Sequence, residues 1–412
     1  MIDKLISKND KNIVVALDIG TTNVVTLVGE INEDEPLSIL GLGTSRSLGM
    51  KKGIVIDINA TVDSIRKSIE EAQINSQTPI KSVVTGIAGN HVKSFNSTGA
   101  VAISSKEVEI EDKDAVLENA CAITIPPNQS ILHKIPQNYI IDDQEGIREP
   151  LGMNGNRLET RAHIVTGATN AIENIEKCVN KCDVSVERIV LEQLASSEAV
   201  LTNDEKDLGI CIVDIGGGTT DIAIFTNGSI EYTSSIAIGG DQVTNDIAVA
   251  LKTGTSNAED IKIKYGCAKT QMTIEDETIE VPGVGDRPSR KLHRQTLAEV
   301  IEPRYAEIFE FVDEIITTGG YEPRIPAGIV LTGGSSKISG LVELAEEVFH
   351  KQVRIGMPQD VIGAENIIKN PMYSTATGLL MYAANDIVVS DTHLSSDFAN
   401  VMRKIWGRLS MD

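Results

Sequence analysis

Two short stretches of this chain carry the residue types needed to grip a phosphate chain. The first reads Asp18-Ile-Gly20-Thr21-Thr22-Asn23 and joins two β-rich apolar runs within 13–28. The second reads Asp214-Ile-Gly216-Gly217-Gly218-Thr219-Thr220-Asp221 and joins two such runs within 210–225. A third glycine turn, Thr332-Gly333-Gly334-Ser335-Ser336, follows an apolar run and leads into a helical pattern. Glycine admits positive φ and lets backbone approach a ligand closely. Consecutive N–H groups in such turns form a concave anion site. Threonine hydroxyls add donors, and the carboxylates of Asp18 and Asp214 suit Mg²⁺ held through its waters. Two opposed turns of this kind would hold a phosphate chain and its metal from both sides.

Other phosphate motifs fit badly. The chain has no Gly-x4-Gly-Lys-Ser/Thr, and no Gly-x-Gly-x-x-Gly between a strand and a helix. Both Asp-x-Gly turns instead lead strand into strand. One such turn would be an ordinary hairpin. Two in register, followed by a Gly-Gly turn at a strand-to-helix junction, point to a repeated phosphate clamp and to two similar α/β domains facing each other.

The elements that must position these turns follow from periodicity. Residues 13–30 read as a hairpin, and 37–58 continue β-like around the basic loop Gly49-Met50-Lys51-Lys52-Gly53. Asn59 or Thr61 is expected to cap a helix through about Ala72, and a strand is expected at 82–87. Residues 88–163 change to short polar segments and turns, with one helix at 112–122, and read as an inserted α+β subdomain. The α/β pattern then resumes with a strand at 162–169 and a helix at 170–181. Beyond the second clamp turn, a strand at 234–238 ends in Gly239-Gly240, Asp241 is expected to cap the next helix, and 256–265 reads as another. Residues 296–318 are helical by pattern with a break or kink at Pro303. A last helix is expected at 372–384, then a polar linker.

Composition bounds the rest. A chain of 412 residues suggests two to three domains at about 150 residues each. No apolar run reaches the roughly 18 residues of a membrane span. The polar stretch 1–12 has no signal-peptide core, which predicts a cytosolic protein. The five cysteines are scattered and odd in number, as in a reducing compartment. Cys178 and Cys182 read as helix packing rather than metal ligands, and the six histidines show no ligand spacing. A net charge of −22 argues against nucleic acid as a partner.

That charge makes two basic clusters informative. Arg287-Pro-Ser-Arg290-Lys291-Leu-His-Arg294 has no acid within it, and Arg304 follows; this reads as a patch for an acidic segment. In the tail, Phe398, Val401, Met402, Ile405, Trp406 and Leu409 follow the i, i+3, i+4, i+7, i+8, i+11 pattern of one helix face. Arg403, Lys404 and Arg408 lie off that face. Fifteen residues make a helix about 22 Å long, too short to span a bilayer. A basic amphipathic helix with an interfacial tryptophan suits the headgroup plane.

The three glycine turns resemble the actin-like ATPase superfamily, shared by actin, the sugar kinases and the Hsp70 chaperones. The resemblance implies ATP and Mg²⁺ in a cleft between two α/β domains. It makes Asp18, Gly20, Thr21, Thr22 and Asn23 the first phosphate motif, and Asp214, Gly216, Gly217, Gly218, Thr219 and Thr220 the second. It assigns Gly333, Gly334 and Ser335 to the adenosine motif, and adds Gly239 and Gly240. Glu259 and Lys262 match its Glu-x-x-Lys helix over the adenosine, and Glu192 its water-positioning residue.

A narrower resemblance, to the FtsA family of bacterial cell-division actin homologues, covers nearly the whole chain. It rests on Leu132-His-Lys-Ile-Pro-Gln137, Asp143-Gln-Glu-Gly146, Leu194-Ala-Ser-Ser197, Arg294-Gln-Thr-Leu-Ala-Glu-Val-Ile-Glu-Pro-Arg-Tyr305 and Tyr373-Ser-Thr-Ala-Thr-Gly378. It implies an ATP-dependent filament former, with at most slow ATPase activity. Such a protein ties FtsZ to the cytoplasmic face of the inner membrane at the septum and helps recruit the division machinery. The implied partners are the acidic FtsZ C-terminal peptide on Arg287, Arg290, Lys291, Arg294, Glu302 and Arg304, further copies head to tail, an anionic membrane surface, and other division proteins through the insert.

The expected organisation is domain 1A at 12–83, 164–205 and 373–388, subdomain 1C at 84–163, domain 2A at 206–243 and 326–372, and subdomain 2B at 244–325. A linker at 389–397 and a membrane-targeting helix at 398–412 complete it. The competing reading is an actin-fold small-molecule kinase. It would need a catalytic carboxylate beside a hydroxyl-binding pocket, and the sequence offers no obvious one. An Hsp70-like chaperone would need a substrate-binding domain, and none of adequate length follows residue 388.

Overall fold

The computed structural model describes residues 13–31, 36–285 and 287–385. The hairpin Ile13–Ile19 and Asn23–Glu30 sits near the centre of a six-stranded sheet. Leu37–Arg46 pairs antiparallel with its second strand, and Ser82–Ile87 then Ser185–Leu191 add in parallel beside its first. Val361–Gly363 joins the outer edge of Leu37–Arg46. The second sheet repeats the plan: Ser229–Ile236, Thr220–Thr226 and Ile210–Ile215 are antiparallel, and Ile329–Thr332 and Val353–Ile355 follow in parallel. Each sheet thus carries the same five-strand order, third-second-first-fourth-fifth, as the doubled motif predicts.

The hairpin strands are apolar on both faces because helices cover both. Leu17, Ile19 and Val24 pack with Ile65 and Ile69 of the helix Ile58–Ser76 and with Cys178 of the helix Thr169–Asn180. Ala16, Val25 and Leu27 face the other way, onto Ala376, Leu379 and Leu380 of the helical residues 374–385. In the second lobe Val213 and Ile224 pack under the long helix Arg294–Thr318 through Leu297, Ile301 and Phe309. Ile212 and Phe225 on the opposite face meet Leu194 and Val200 of the helix Glu192–Val200, which comes from the first lobe.

Several expected boundaries move. Asp57, not Asn59 or Thr61, caps the first helix by accepting from Ala60 N at 3.0 Å, and the helix runs a turn past Ala72. Gly239, not Asp241, is the cap before Gly240–Ala250; Gln242 Oε1 accepts from Gly239 N at 2.9 Å. Pro303 breaks nothing: Arg294–Thr318 is continuous, and Pro303 lies on its exposed side, where water can take the carbonyl its ring cannot serve.

The insert is a four-stranded sheet in the order Val92–Ala102, Arg157–Ala168, Gln129–Ile141, Gln144–Ile147. The helix Ile110–Ala120 covers one face through Val116, against Tyr139, Ile141 and Leu158. Polar side chains fasten this sheet to the edge strand Ser229–Ile236 of the second lobe. Ser94 Oγ donates to Thr233 O at 2.9 Å, Asn96 Nδ2 to Glu231 O at 3.1 Å, and Gln137 Nε2 to Ile230 O at 2.7 Å. The buried His163 bridges Asn96 Oδ1 at 2.7 Å and Thr233 Oγ1 at 3.0 Å.

Candidate nucleotide cleft

The two clamp turns meet at the floor of a cleft of about 760 Å³ between the lobes. A Cβ added at Gly217 would lie 1.9 Å from Thr22 Oγ1, and one at Gly218 would lie 2.5 Å from Thr21 Oγ1. Glycine is therefore required there by the approach of the opposite lobe. Gly216 N–H closes its turn on Thr219 O at 3.0 Å. The turn is then stapled from behind: Gly240 N–H donates to Gly216 O at 2.9 Å, Asp241 N–H to Gly217 O at 2.8 Å, and Ser335 Oγ to Gly216 O at 2.9 Å. Gly333, at φ 85°, backs onto Asp214, whose Oδ1 would lie 2.4 Å from any Cβ. The second and third glycine turns thus form one rigid assembly.

Four carboxylates converge on the floor: Asp18, Asp214, Asp221 and Glu192. Burial raises Asp18 to about 7, with the charges of Asp214 and Asp221 adding to the effect. Burial raises Asp214 to about 6 and Asp221 to about 7. Glu192 goes well above the usual carboxylate range, through burial first and the negative charge of Asp18 second. Glu192 is the first residue of its helix, where the sequence order placed it.

Two of the floor's residues were missed by sequence reasoning. Asp221 closes the second motif, yet only the fold turns it into the cleft; it accepts from Thr219 Oγ1 at 2.8 Å, with Ser235 opposite it on the neighbouring strand. Thr375 donates to Asp214 Oδ2 at 3.1 Å from a distant segment, and no local signal marks it.

Glu259 and Lys262 do not form a surface pair. Lys262 Nζ lies 2.8 Å from Glu259 Oε2, and also donates to Gly240 O at 3.0 Å and Thr244 Oγ1 at 2.8 Å. Both line the cleft one step beyond the phosphate turns. Asn23 lines it as well, with Nδ2 3.9 Å from Met372 Sδ.

The basic cluster divides in space. Arg287, Arg290 and Lys291 are exposed, the last two on the strand Arg290–His293, and Arg290 also donates to Leu251 O. Arg304 is paired with Asp246 at 2.6 Å and with Glu307, acids that the linear run does not reveal. Glu302 accepts from Thr270 N–H at 2.8 Å. Arg294 lines the cleft. The linker and every tail residue, Phe398, Val401, Met402, Arg403, Lys404, Ile405, Trp406, Arg408 and Leu409, lie outside the described residues.

A family model described as "Cell division protein FtsA" matches residues 211–378, and one described as "SHS2 domain inserted in FTSA" matches residues 89–166. The cell division protein FtsA of Pseudomonas aeruginosa is 55% identical over 390 residues, 93% of this chain and 94% of that protein. The chain belongs to the FtsA family. The FtsA of Escherichia coli is 42% identical across 97% of this chain and 96% of its own length.

Two solved structures share the fold at low identity. The PilM–PilN type IV pilus biogenesis complex aligns with a TM-score of 0.66 at 17% identity, over 90% of this chain and 98% of that one. MreB5 of Spiroplasma citri bound to ADP aligns at 0.55 and 15%, over 92% and 98%. The architecture is therefore the actin-like ATPase fold with the FtsA-family insert. The small-molecule kinase reading is not favoured, because the relatives that match almost end to end are cell-division proteins.

Proposed function

We propose that this FtsA-family chain is an ATP-binding, filament-forming adaptor that anchors the FtsZ ring to the cytoplasmic membrane at the septum. One observation carries the nucleotide half of the reading: the two glycine turns touch across a floor of four buried carboxylates. Backbone N–H groups of residues 20–22, 217 and 218 would hold the phosphates, with the Thr21 hydroxyl as a further donor. Asp18 and Asp214 would hold Mg²⁺ through its waters. Asp221, beside them on the floor, adds a further carboxylate to the acidic lining that suits a hydrated cation. When bound, Mg²⁺ would offset the negative charge of the phosphates and of this floor.

Glu192 faces the cleft from the lobe opposite the second turn, where a water could be positioned. Burial first and Asp18 second raise its carboxyl above the usual range. The reading keeps hydrolysis slow at most. The clamp then serves lobe closure and assembly more than turnover.

The adaptor half rests on the family and on chemistry outside the cleft. Arg287, Arg290 and Lys291 are exposed cations on an acidic chain and suit the acidic FtsZ tail. The insert offers a surface to other division proteins. No helix among the described residues is long and apolar enough to cross a membrane, and the basic amphipathic pattern of 398–412 supports attachment at the membrane surface. Sedimentation of the full chain with anionic liposomes and Mg-ATP tests the whole. It should pellet with vesicles, and more so with ATP. Absence of nucleotide binding by calorimetry would overturn the clamp; binding without pelleting would overturn the adaptor.

A further inference from the structure

Arg294 stands among the cations of a basic run, but it is held differently from its neighbours. Its backbone N–H donates to Glu277 O at 2.8 Å, Nε donates to Tyr265 O at 2.8 Å, and Nη1 donates to Glu277 Oε2 at 2.9 Å. The two side-chain bonds fix the guanidinium plane, and the third ties the backbone beneath it. Nη2 has no partner among the described residues, and the side chain keeps 20% of its exposure, toward the cleft that it lines.

Its position along the cleft follows from the helix Thr255–Tyr265. Lys262 on that helix is bonded to Gly240 O beside the second phosphate turn. Tyr265, which holds Arg294, is about one turn further on, so the guanidinium is anchored one helical turn beyond Lys262. Ile263 lines the same cleft and is 74% exposed, an unusual state for a large apolar side chain within a concave wall. Ile338 adds a second apolar surface there. A flat apolar group with a π face would cover Ile263 and meet the face of a fixed guanidinium.

We propose that Arg294 belongs to the nucleotide site and forms one wall of the slot for the purine base, rather than part of the partner-binding patch. This deepens the nucleotide reading above and rests on it. A guanidinium held in plane by Tyr265 O and Glu277 loses little freedom on stacking. The bare ammonium of lysine has no such face.

Calorimetry on the full chain, with Mg-ATP and with Mg-ribose 5-triphosphate, separates the possibilities. Arg294→Ala and Arg294→Lys should each weaken ATP about tenfold. Both should leave the base-free triphosphate unchanged, with the melting midpoint of each variant showing that it is folded. An equal loss for both ligands would assign Arg294 a purely structural role through Tyr265 and Glu277, and overturn the proposal. Unchanged ATP affinity in both variants would overturn it too. A wild-type chain that binds neither ligand would instead sink the nucleotide reading itself.

Discussion

Thr22 Oγ1, in the first glycine turn, donates to Asp241 Oδ1 of the second lobe at 3.3 Å. The same hydroxyl occupies the space that a side chain at Gly217 would need. The lobes therefore touch through the two turns themselves, and these contacts close the cleft floor.

Gly217→Ala should break this closure. Its methyl cannot coexist with Thr22 Oγ1, and relief by shifting the lobes costs about 1–3 kcal/mol. Nucleotide affinity by calorimetry should fall about ten- to a hundredfold. Adding Thr22→Ala removes the opposing hydroxyl and should recover part of the loss. Full affinity in the single variant would mean that the turns need not approach to bind.

The acidic floor makes stability depend on pH. Asp221 rises from 3.8 to about 7 through burial, so the folded chain binds more protons than the unfolded one between those values. Stability from this group is greatest below pH 4 and is lost as pH climbs to 7. Asp221→Asn removes the penalty. Without ligand, it should melt higher than wild type at pH 8, and the gap should close by pH 5. Mg²⁺ should raise the wild-type midpoint more at pH 8 than at pH 5. Equal midpoints for the two chains at every pH would contradict the burial of an ionisable floor.

Lys262 and Glu259 offer a coupled test. Lys262→Met removes the ammonium from Gly240 O and from the Glu259 carboxylate, leaving Thr244 Oγ1 as the side-chain donor they share, and should cost about 1 kcal/mol of stability. Glu259→Gln in the same chain should add less than its single effect, because the two share one network. Strict additivity in denaturant titrations would show them to be independent.

The doubled clamp was legible because its glycines, threonines and aspartates are adjacent in sequence and their chemistry is local. The paired sheets were legible for the same reason, since each motif brings its own β-rich flanks. Asp57 escaped as a cap because Asn59 and Thr61, two and four residues on, are equally good cap types. Pro303 looked disruptive because sequence does not show which side of a helix a ring will face. Thr375, and the turn of Arg294 toward the cleft, depend on contacts between distant segments. Arg294 in particular was hidden by its company: a run of cations reads as one surface until Glu277 and Tyr265 withdraw one member.

His163 tests the seam between the insert and the second lobe. Burial lowers it to about 4, so it is neutral when folded, and its contribution to stability is lost as pH falls from 6.5 toward 4. His163→Leu would leave Thr233 Oγ1 without its bridge and should cost about 2 kcal/mol. Protease nicking within the insert should rise in step. A variant as stable and as resistant as wild type would make the bridge incidental.

The tail gives a spectroscopic prediction. Trp406 is the chain's one tryptophan, and Gly407 beside it costs a helix about 1 kcal/mol relative to alanine. Isolated helices of about 15 residues are marginal in water, so the amphipathic pattern of 398–412 predicts ordering on lipid. The emission of Trp406 should move to the blue on anionic liposomes and stay unchanged on neutral ones at moderate salt. Vesicle-bound protein with unshifted emission would rule out insertion of this tryptophan.

The edge strand Ser229–Ile236 would ordinarily be the open margin of the second sheet. Instead Ser94, Asn96 and Gln137 of the insert, with Gln193 on Ser234 O at 3.3 Å, occupy carbonyls along it. An exposed margin is a template on which a foreign strand can grow. Here that template is blocked by side chains, so copies of this chain have no route to join strand to strand at that edge. Contact between copies at this margin would have to be made by side chains rather than by backbone pairing.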